Sequence, residues 1–231
     1  MRICGLTKTT LLDYPGRVAC TIFLGGCNYR CPFCHNSTLV LSPGEQEEYR
    51  QEDILSFLRK RKGILDGVCI TGGEPTLAPE LPEFLGRIKE TGLAVKLDTN
   101  GSRPEIIRDL VRRGLIDKAA MDIKSCPEHY GRLTGISHPD IDAVMESAKL
   151  LMECGIDYEF RTTVVKELHS AEDFEKIGAW LAGAEEYYLQ EYRDSETVIH
   201  PGFSPCAMEE MTAYQKILSR TIKRVEVRGI E

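Results

Sequence analysis

A chain of 231 residues with 42% hydrophobic and 28% charged residues has the size and composition of one soluble globular domain. The formal net charge of -7 argues against a protein that coats nucleic acid, and the sequence has no run of 18 apolar residues that could span a membrane. Nine cysteines, with no signal-peptide core near the N-terminus, indicate a cytoplasmic protein whose thiols serve metal or redox chemistry. We therefore expect a single domain over residues 1–231 and no nucleic-acid or membrane partner.

Short apolar runs rich in β-branched residues alternate with amphipathic stretches along the chain. The apolar runs predict six strands, over Val18–Leu24, Gly67–Thr71, Ala94–Asp98, Lys118–Ile123, Asp157–Val165 and Glu186–Gln190. The amphipathic stretches predict helices over Gln51–Lys62, Pro79–Thr91, Pro104–Arg113, Pro139–Cys154 and Ala171–Leu181, and one near Glu209–Lys223. The first crossover is less regular, with a short helix possible over Ser37–Leu41 and a loop over Pro43–Glu48. The segment Val225–Ile230 is compatible with an edge strand or a loose tail.

Six strand–helix repeats predict an α/β fold with a parallel sheet, either open and doubly wound or curled into a barrel. In both arrangements ligands bind at the carboxyl ends of the strands. Polar and glycine-rich segments follow the first three strands at this end, with the sequences GGCNYRCPFCHN, GGEP and TNG. Lys124, Arg161 and Gln190 lie within or at the ends of the next three. The sequence therefore predicts a functional site at this edge of the sheet.

Three cysteines, Cys27, Cys31 and Cys34, lie within eight residues of the first of these loops. A structural zinc site requires four ligands, and His35 is too close to Cys34 to be a comfortable fourth. A dithiol redox motif uses Cys31 and Cys34 but leaves Cys27 unexplained. An iron–sulfur cluster uses all three thiolates and leaves one iron open to another ligand, whereas ordinary electron-transfer clusters take four cysteines.

The string Cys27-x3-Cys31-x2-Cys34, followed by His35-Asn36, resembles the signature of the radical S-adenosylmethionine (SAM) enzymes. Its position after the first predicted strand, with GGEP after the second, strengthens the resemblance. The resemblance implies a partial (β/α)6 barrel of parallel strands, and one [4Fe-4S] cluster on the three cysteines whose unique iron binds SAM. It also implies that reduction cleaves SAM to methionine and a 5′-deoxyadenosyl radical, which abstracts a hydrogen atom, so that no catalytic side chain is needed beyond these cofactors.

The resemblance further implies a set of residues that bind SAM. They are Phe33, His35, Asn36, Gly72, Gly73, Glu74, Asp98, Thr99, Asn100, Asp122, Lys124, Arg161 and Gln190. The glycines and Glu74 resemble the site for the methionyl amine, since glycines let a backbone approach a ligand closely. Taken singly, these segments are also typical of a glycine turn with a capping Glu, a bare Asn-Gly turn and an ion pair on a sheet face.

The individual roles follow from the same resemblance. Asp98 and Thr99 are expected at the methionyl portion or at a monovalent cation near Asp98 and Asp122. Asp122 and Lys124, two residues apart on one strand face, are expected to reach the ribose hydroxyls and the carboxylate. Arg161 is a charge in an apolar strand that needs a partner, and the SAM carboxylate would supply one. Phe33, His35, Asn36 and Gln190 are expected around the adenine.

The strings DTNG and MDIK together resemble the activating enzymes that install a glycyl radical on a partner protein. The opening stretch, through CHN, resembles the short activating proteins of anaerobic ribonucleoside-triphosphate reductase. A large glycyl-radical enzyme is therefore the implied protein substrate. Because only about 35 residues separate CHN from GGEP, further clusters have no room there, and flavodoxin or ferredoxin is the implied electron donor. The alternatives are a radical SAM enzyme that modifies a small molecule or ribosomal peptide, and a non-catalytic zinc or iron–sulfur module.

Overall fold

The computed structural model describes residues 1–229, whose eight strands form a single sheet in chain order. The strands are β1 (Ile3–Thr10), β2 (Ala19–Leu24), β3 (Gly67–Gly72), β4 (Ala94–Thr99), β5 (Lys118–Asp122), β6 (Asp157–Val164), β7 (Glu186–Glu191) and β8 (Arg224–Arg228). Strands β2 to β8 run parallel to their neighbours, and β1 is antiparallel to β2. The fold is therefore α/β with a mostly parallel sheet, as predicted.

Helices follow the parallel strands as crossovers. They are α1 (Ser37–Leu41), α2 (Gln51–Lys60), α3 (Leu81–Lys89), α4 (Pro104–Arg112), α5 (Tyr130–Thr134), α6 (Ile141–Glu153), α7 (Ala171–Trp180) and α8 (Met208–Leu218). Single 3-10 turns occur at Pro43–Glu45, Pro75–Leu77 and Pro127–His129. Among these helices of residues 1–229, none is both long and apolar enough to cross a membrane.

The two faces of the sheet differ in polarity because side chains alternate along each strand. On β4, Val95 and Leu97 pack into the apolar layer under the helices, whereas Lys96 and Asp98 point to the other face. On β6, Phe160 belongs to the apolar layer in the same way. The hydrophobic core thus lies between the sheet and the helices, and the concave face of the sheet carries charges.

The sheet is curled but not closed. In a flat sheet β3 and β7 would lie about 19 Å apart, since neighbouring strands are separated by about 4.8 Å. Nevertheless Thr71 of β3 and Gln190 of β7 line one cavity. Strands β1 and β8 form the two edges of the described sheet and are not neighbours in its hydrogen-bonded order. This arrangement is a partial barrel rather than a flat doubly wound sheet.

The six predicted strands are β2 to β7, each within two residues of its predicted bounds. Strand β1 was not predicted, because only Ile3 of its eight residues is buried and the strand lacks a clear apolar alternation. The short helix α5 was also missed. The predicted terminal segment forms β8 as an edge strand, and its last residue, Ile230, lies outside the described residues.

Candidate active site

The carboxyl ends of β2 to β7 surround a cavity of about 220 Å³. Most of the residues predicted from the sequence line it. They are Cys27, Cys31, Phe33, Cys34, His35, Asn36, Gly72, Gly73, Asp98, Thr99, Asn100, Asp122, Lys124, Arg161 and Gln190. Glu74 is the one predicted residue that lies outside this lining. The topology therefore brings together segments that are more than 150 residues apart in the sequence.

The cysteine loop, residues 25–36, follows β2 and is fixed by backbone hydrogen bonds to distant segments. The Arg30 amide donates to the carbonyl of Thr134 at the end of α5, at 2.7 Å. The His200 amide donates to the carbonyl of Pro32, at 2.8 Å. Because the middle of the loop is anchored in this way, its three thiols are held on one side of the cavity.

Cys31 is buried, and Cys27 and Cys34 are partly buried. Burial raises the pKa of Cys27 to about 11 and that of Cys31 to about 12. The Cys27 sulfur accepts a hydrogen bond from the Tyr29 amide at 3.3 Å, and the Lys124 ammonium favours the Cys31 thiolate. All nine cysteines are free. A metal centre would have to displace the thiol protons, and the positive charge nearby would assist that step.

The spacing of the three thiols fits a cluster better than a single ion. Thiolates around one zinc ion lie about 4 Å apart. Among residues 1–229, the three loop thiols do not all lie within 4.8 Å of one another, whereas the ligand atoms of Cys126, His129 and Asp173 do. In addition, the Tyr29 hydroxyl beside the loop is buried without a hydrogen-bond partner. A cluster in the cavity would separate the sulfurs and offer this hydroxyl an acceptor.

Gly72 and Gly73 form, with the cysteine loop, the side of the cavity that we call the glycine wall. A Cβ on Gly72, whose φ is +119°, would lie 2.3 Å from the Leu24 carbonyl oxygen. A Cβ on Gly73 would lie 1.9 Å from the carbonyl oxygen of Gly26. From the sequence, these glycines are expected to let a ligand approach the backbone closely. The structure gives a further reason, because the GGEP segment packs directly on the backbone that leads into the cysteine loop.

Glu74 is buried behind the glycine wall, only 2% exposed. Its Oε1 accepts from the Thr99 hydroxyl at 2.8 Å, and its Oε2 accepts from the Asn100 amide at 2.6 Å. Burial raises its pKa, although these hydrogen bonds and those from Thr76 oppose the rise. The carboxylate therefore joins the GGEP turn to the DTNG turn instead of facing the cavity.

Amide side chains connect the glycine wall to the loops around it. Asn36 donates from Nδ2 to the Gly72 carbonyl at 2.9 Å. Asn100 donates from Nδ2 to the side-chain oxygen of Asn28 at 2.9 Å, and the same nitrogen lies 3.9 Å from the Cys27 sulfur. These contacts fix the relative positions of the three loops that follow β2, β3 and β4.

The opposite side of the cavity, which we call the charged wall, consists of Asp98, Asp122, Lys124 and Arg161. Arg161 donates to Asp122 Oδ1 at 2.9 Å and to Asp98 Oδ2 at 3.2 Å. Lys124 donates to Asp122 Oδ2 at 3.1 Å. Burial acts to raise the pKa of Asp122, but Lys124 and Arg161 outweigh it and lower the pKa to about 2. Both carboxylates of this wall are therefore ionised.

Lys96 supports the charged wall from beneath and was not predicted. Its side chain is 1% exposed, and Nζ donates to Asp98 Oδ1 at 2.5 Å. Burial acts to raise the pKa of Asp98, but Arg161 and Lys96 outweigh it and hold the pKa below its ordinary value. The buried Glu159 carboxylate is a third acidic group near Lys96 and Arg161. The predicted monovalent cation near Asp98 and Asp122 stays a prediction, since protein cations already pair with both.

Four lining residues, Tyr29, Val40, Thr71 and Thr163, were also outside the predicted set. A signal existed for Lys96 and Thr163. Lys96 is a charge in an apolar strand two residues before Asp98, and Thr163 lies two residues after Arg161, so period-2 alternation places both on the concave face. Tyr29 gave no such signal, because its position lies inside an irregular loop.

The remaining predicted residues lie at the entrance between the first and last loops. His35 Nε2 lies 2.6 Å from the Arg193 carbonyl oxygen, and its ring packs against Tyr192 at 5.6 Å between centroids. Phe33 is buried, whereas Gln190 is partly exposed at the end of β7. The cavity edge therefore presents aromatic surface beside polar groups, which suits a flat heterocycle.

Comparison with known proteins identifies the family. The Radical SAM superfamily matches residues 21–181. A protein of Methanocaldococcus jannaschii named as a glycyl-radical enzyme activating enzyme is 31% identical over 237 residues, covering 99% of this chain and 96% of its own. The pyruvate formate-lyase-activating enzyme of Clostridium pasteurianum is 29% identical over 184 residues, covering 76% of this chain and 74% of its own.

Solved structures show the same fold. The structure of Streptococcus suis SuiB bound to S-adenosylmethionine superposes with a TM-score of 0.68 at 16% identity. The match covers 91% of this chain and 52% of SuiB, so the chain spans about half of that protein. Members of the family use a [4Fe-4S] cluster together with SAM, and the thiols and charges of the cavity are compatible with both. The chain therefore belongs to the radical SAM superfamily and is an enzyme of that family.

Proposed function

We propose that this enzyme generates a glycyl radical on a large partner enzyme, which the opening sequence indicates to be anaerobic ribonucleoside-triphosphate reductase. When bound, the cluster and SAM supply a 5′-deoxyadenosyl radical by one-electron reductive cleavage. The observation that carries the proposal is the similarity to a protein named as a glycyl-radical enzyme activating enzyme, which extends over 99% of this chain. The similarity therefore includes the substrate-facing loops as well as the cofactor-binding core.

In this proposal the cysteine loop holds the cluster through Cys27, Cys31 and Cys34. The loop is anchored by backbone hydrogen bonds at Arg30 and Pro32, which leave the thiols free to bind the cluster. The three thiols can therefore meet the cluster with little rearrangement. The Tyr29 hydroxyl, which is buried without a partner, would gain an acceptor there.

The charged wall would bind the methionyl and ribose parts of SAM. Arg161 and Lys124 are the cations available to the SAM carboxylate, and Asp98 and Asp122 hold them in place through the ion pairs described above. Lys96 is a positioning residue in this scheme, because it contacts Asp98 rather than the cavity. Charge-assisted hydrogen bonds of this kind fix orientation as well as adding affinity.

The glycine wall would bind the methionyl amine through the carbonyl groups of Gly72 and Gly73, with Thr99 and Asn100 beside them. Glu74 and Asn36 act behind it, by holding the turns together. Around the adenine we place Phe33, His35 and Gln190. The His35 ring is held by the Arg193 carbonyl, so it offers a fixed surface for stacking.

The electron needed for cleavage must come from outside the chain. The next cysteine after Cys34 is Cys69, which is fully buried in β3. The crossover between the CHN and GGEP segments therefore holds no ligands for a second cluster. We propose flavodoxin or ferredoxin as the donor.

Anaerobic reconstitution tests the cofactor roles. With iron, sulfide, dithionite and SAM, the enzyme should form 5′-deoxyadenosine, and Cys27→Ala, Cys31→Ala and Cys34→Ala should each reduce its formation to background. Cys154→Ala is the matched control, because this thiol lies at the end of α6 away from the cavity. Cleavage that persists in any of the three loop variants would contradict the cluster assignment.

A labelled partner tests the reaction. When anaerobic ribonucleoside-triphosphate reductase carrying deuterated glycine is added, deuterium should enter 5′-deoxyadenosine and a glycyl-radical doublet should appear by electron paramagnetic resonance. Deuterium-free product and no doublet, in spite of efficient SAM cleavage, would refute this partner. A second glycyl-radical enzyme tested in the same way would show whether the activity or only the partner is wrong. The alternative, modification of a small molecule or peptide, predicts no doublet with either.

A further inference from the structure

A second group of metal-ligating side chains lies outside the SAM cavity. Cys126 follows β5, His129 ends the 3-10 turn Pro127–His129, and Asp173 lies in the first turn of α7. The ligand atoms of these three residues lie within 4.8 Å of one another. His129 Nδ1 is 2.6 Å from Asp173 Oδ1, and the Cys126 sulfur is 3.2 Å from the same oxygen. None of the three lines the SAM cavity.

Local hydrogen bonds orient the carboxylate of Asp173 toward the turn. Its Oδ2 accepts from the Ser170 amide at 2.8 Å and from the Ser170 hydroxyl at 2.7 Å, in the capping box of α7. Its Oδ1 is left for Cys126 and His129. The turn is fixed as well, because the His129 amide donates to the Cys126 carbonyl at 3.1 Å. Contacts within the protein therefore orient the three ligand atoms toward one another.

The Glu128 carboxylate also interacts with the Cys126 thiol, although it is not part of the group of ligand atoms within 4.8 Å of one another. Burial and the neighbouring carboxylates of Asp173 and Glu128 raise the pKa of Cys126 to about 11. A thiol in that setting keeps its proton unless a cation takes its place. The His129 side chain is 51% exposed, so an ion can reach the group from solvent.

The donor set indicates the kind of ion. One thiolate, one imidazole nitrogen and carboxylate oxygens form a mixed set that suits zinc in tetrahedral coordination. Calcium and magnesium prefer oxygen ligands alone. The Asp173 carboxylate and the Cys126 thiolate would together neutralise a divalent charge.

We propose that this group, the Cys126 site, binds one zinc ion through Cys126 Sγ, His129 Nδ1 and Asp173 Oδ1, with water from solvent at the fourth position. Binding replaces the Cys126 proton, which passes to solvent. His129 binds through Nδ1 and carries its N–H on Nε2, and the thiol proton is the one released on binding. The ion would join the segment after β5, which carries Lys124, to the start of α7.

Cobalt substitution tests the Cys126 site. The experiment uses the full chain with Cys27, Cys31 and Cys34 all replaced by serine, so that the cluster loop cannot bind the metal. Titration with Co²⁺ should then show one equivalent, with a thiolate-to-cobalt charge-transfer band and the visible bands of tetrahedral cobalt, and Zn²⁺ should displace it. Adding Cys126→Ser should remove the charge-transfer band, and adding His129→Ala should weaken binding at least tenfold.

Controls separate the site from other thiols and from misfolding. Cys154→Ser should leave the cobalt spectrum unchanged, because this thiol has no ligand neighbours of that kind among the described residues. His129→Ala removes an exposed side chain and should not affect folding. If the triple variant does not fold, zinc content is measured in the cluster-loaded enzyme, with one zinc expected per chain and none in His129→Ala. A missing charge-transfer band, or one that survives Cys126→Ser, or equal zinc in both enzymes would overturn the proposal.

Discussion

The two walls of the cavity are built by different forces. The glycine wall is fixed by steric fit and backbone hydrogen bonds, since the GGEP segment packs on the Gly26 carbonyl and Glu74 joins the turns behind it. The charged wall is fixed by ion pairs among partly buried side chains, centred on Arg161. We therefore expect the first wall to respond to changes of volume, and the second to changes of charge and pH.

The strongest test of this difference is Arg161→Met, which removes the cation shared by Asp98 and Asp122. Two carboxylates, 12% and 33% exposed, would lose a partner. The loss of unfolding free energy should therefore exceed the about 1 kcal/mol of an exposed pair and approach the about 3–5 kcal/mol of a fully buried one. SAM binding should fall at least a hundredfold. Denaturant unfolding and equilibrium binding measure the two effects.

The matched control is Arg108→Met, which breaks a surface pair with Glu146 in which both side chains are about half exposed. Such pairs contribute about 1 kcal/mol or less. Similar losses of stability in the two variants would show that the charged wall does not depend on its ion pairs.

Gly73→Ala tests the glycine wall. The added methyl would overlap the Gly26 carbonyl, so the cysteine loop must shift, and overpacking of this kind costs about 1–3 kcal/mol. Iron incorporation should fall as well. Gly86→Ala in α3 is the control, because its nearest neighbour would be 3.9 Å away and alanine favours a helix. Normal iron loading in Gly73→Ala would show that the two segments are not coupled.

A smaller effect is expected from acid. The pKa of Asp122 is lowered to about 2, because Lys124 and Arg161 outweigh its burial. A lowered carboxyl pKa stabilises the fold above the unfolded value near 3.8, and this contribution disappears as the pH falls toward 2. The stability difference between the wild-type enzyme and Asp122→Asn should therefore be largest near neutral pH and should shrink below about pH 4.

Denaturant unfolding at several pH values measures this difference. Asp142→Asn, at an exposed position on α6, serves as the control and should show no comparable trend. A constant difference between wild type and Asp122→Asn from neutral pH to pH 2 would argue against the ionised pair.

The smallest expected effect comes from Tyr29→Phe, at the boundary between the walls. Without a cluster, the variant should be as stable as the wild type or slightly more so, because a buried hydroxyl without a partner is removed. With the cluster, loss of a hydrogen-bond donor should lower its midpoint potential. Redox titration followed by electron paramagnetic resonance checks this, and an unchanged potential would mean that the hydroxyl does not contact the cluster.

Sequence reasoning recovered the parts of the molecule that depend on local pattern. Apolar runs located β2 to β7, and the rule that parallel strands bring their carboxyl ends together placed the lining residues around one cavity. Sequence reasoning did not recover the position of Glu74, because only the folded chain shows that Thr99 and Asn100 donate hydrogen bonds to its two carboxylate oxygens. Lys96 could have been found by the same alternation that identified Arg161.

Other features depend on tertiary contacts and left no local signal. The Cys126 site joins residues 47 positions apart, and no spacing rule connects them. Among the described strands, β1 pairs with β2 alone, at the edge of the sheet, and only one of its eight residues is buried. The choice between a flat and a curled sheet was likewise open, since both share the same alternation of strands and helices.

The anchoring of the cysteine loop has a consequence for biosynthesis. The loop leaves the ribosome well before Ile199 and His200, two residues whose amides bind it and which lie more than 160 residues later in the chain. The thiols therefore emerge long before their final geometry exists, and they would be exposed to stray metals and oxidants during translation. Insertion of the iron centre is thus expected to be one of the last events of maturation, after synthesis of the seventh strand.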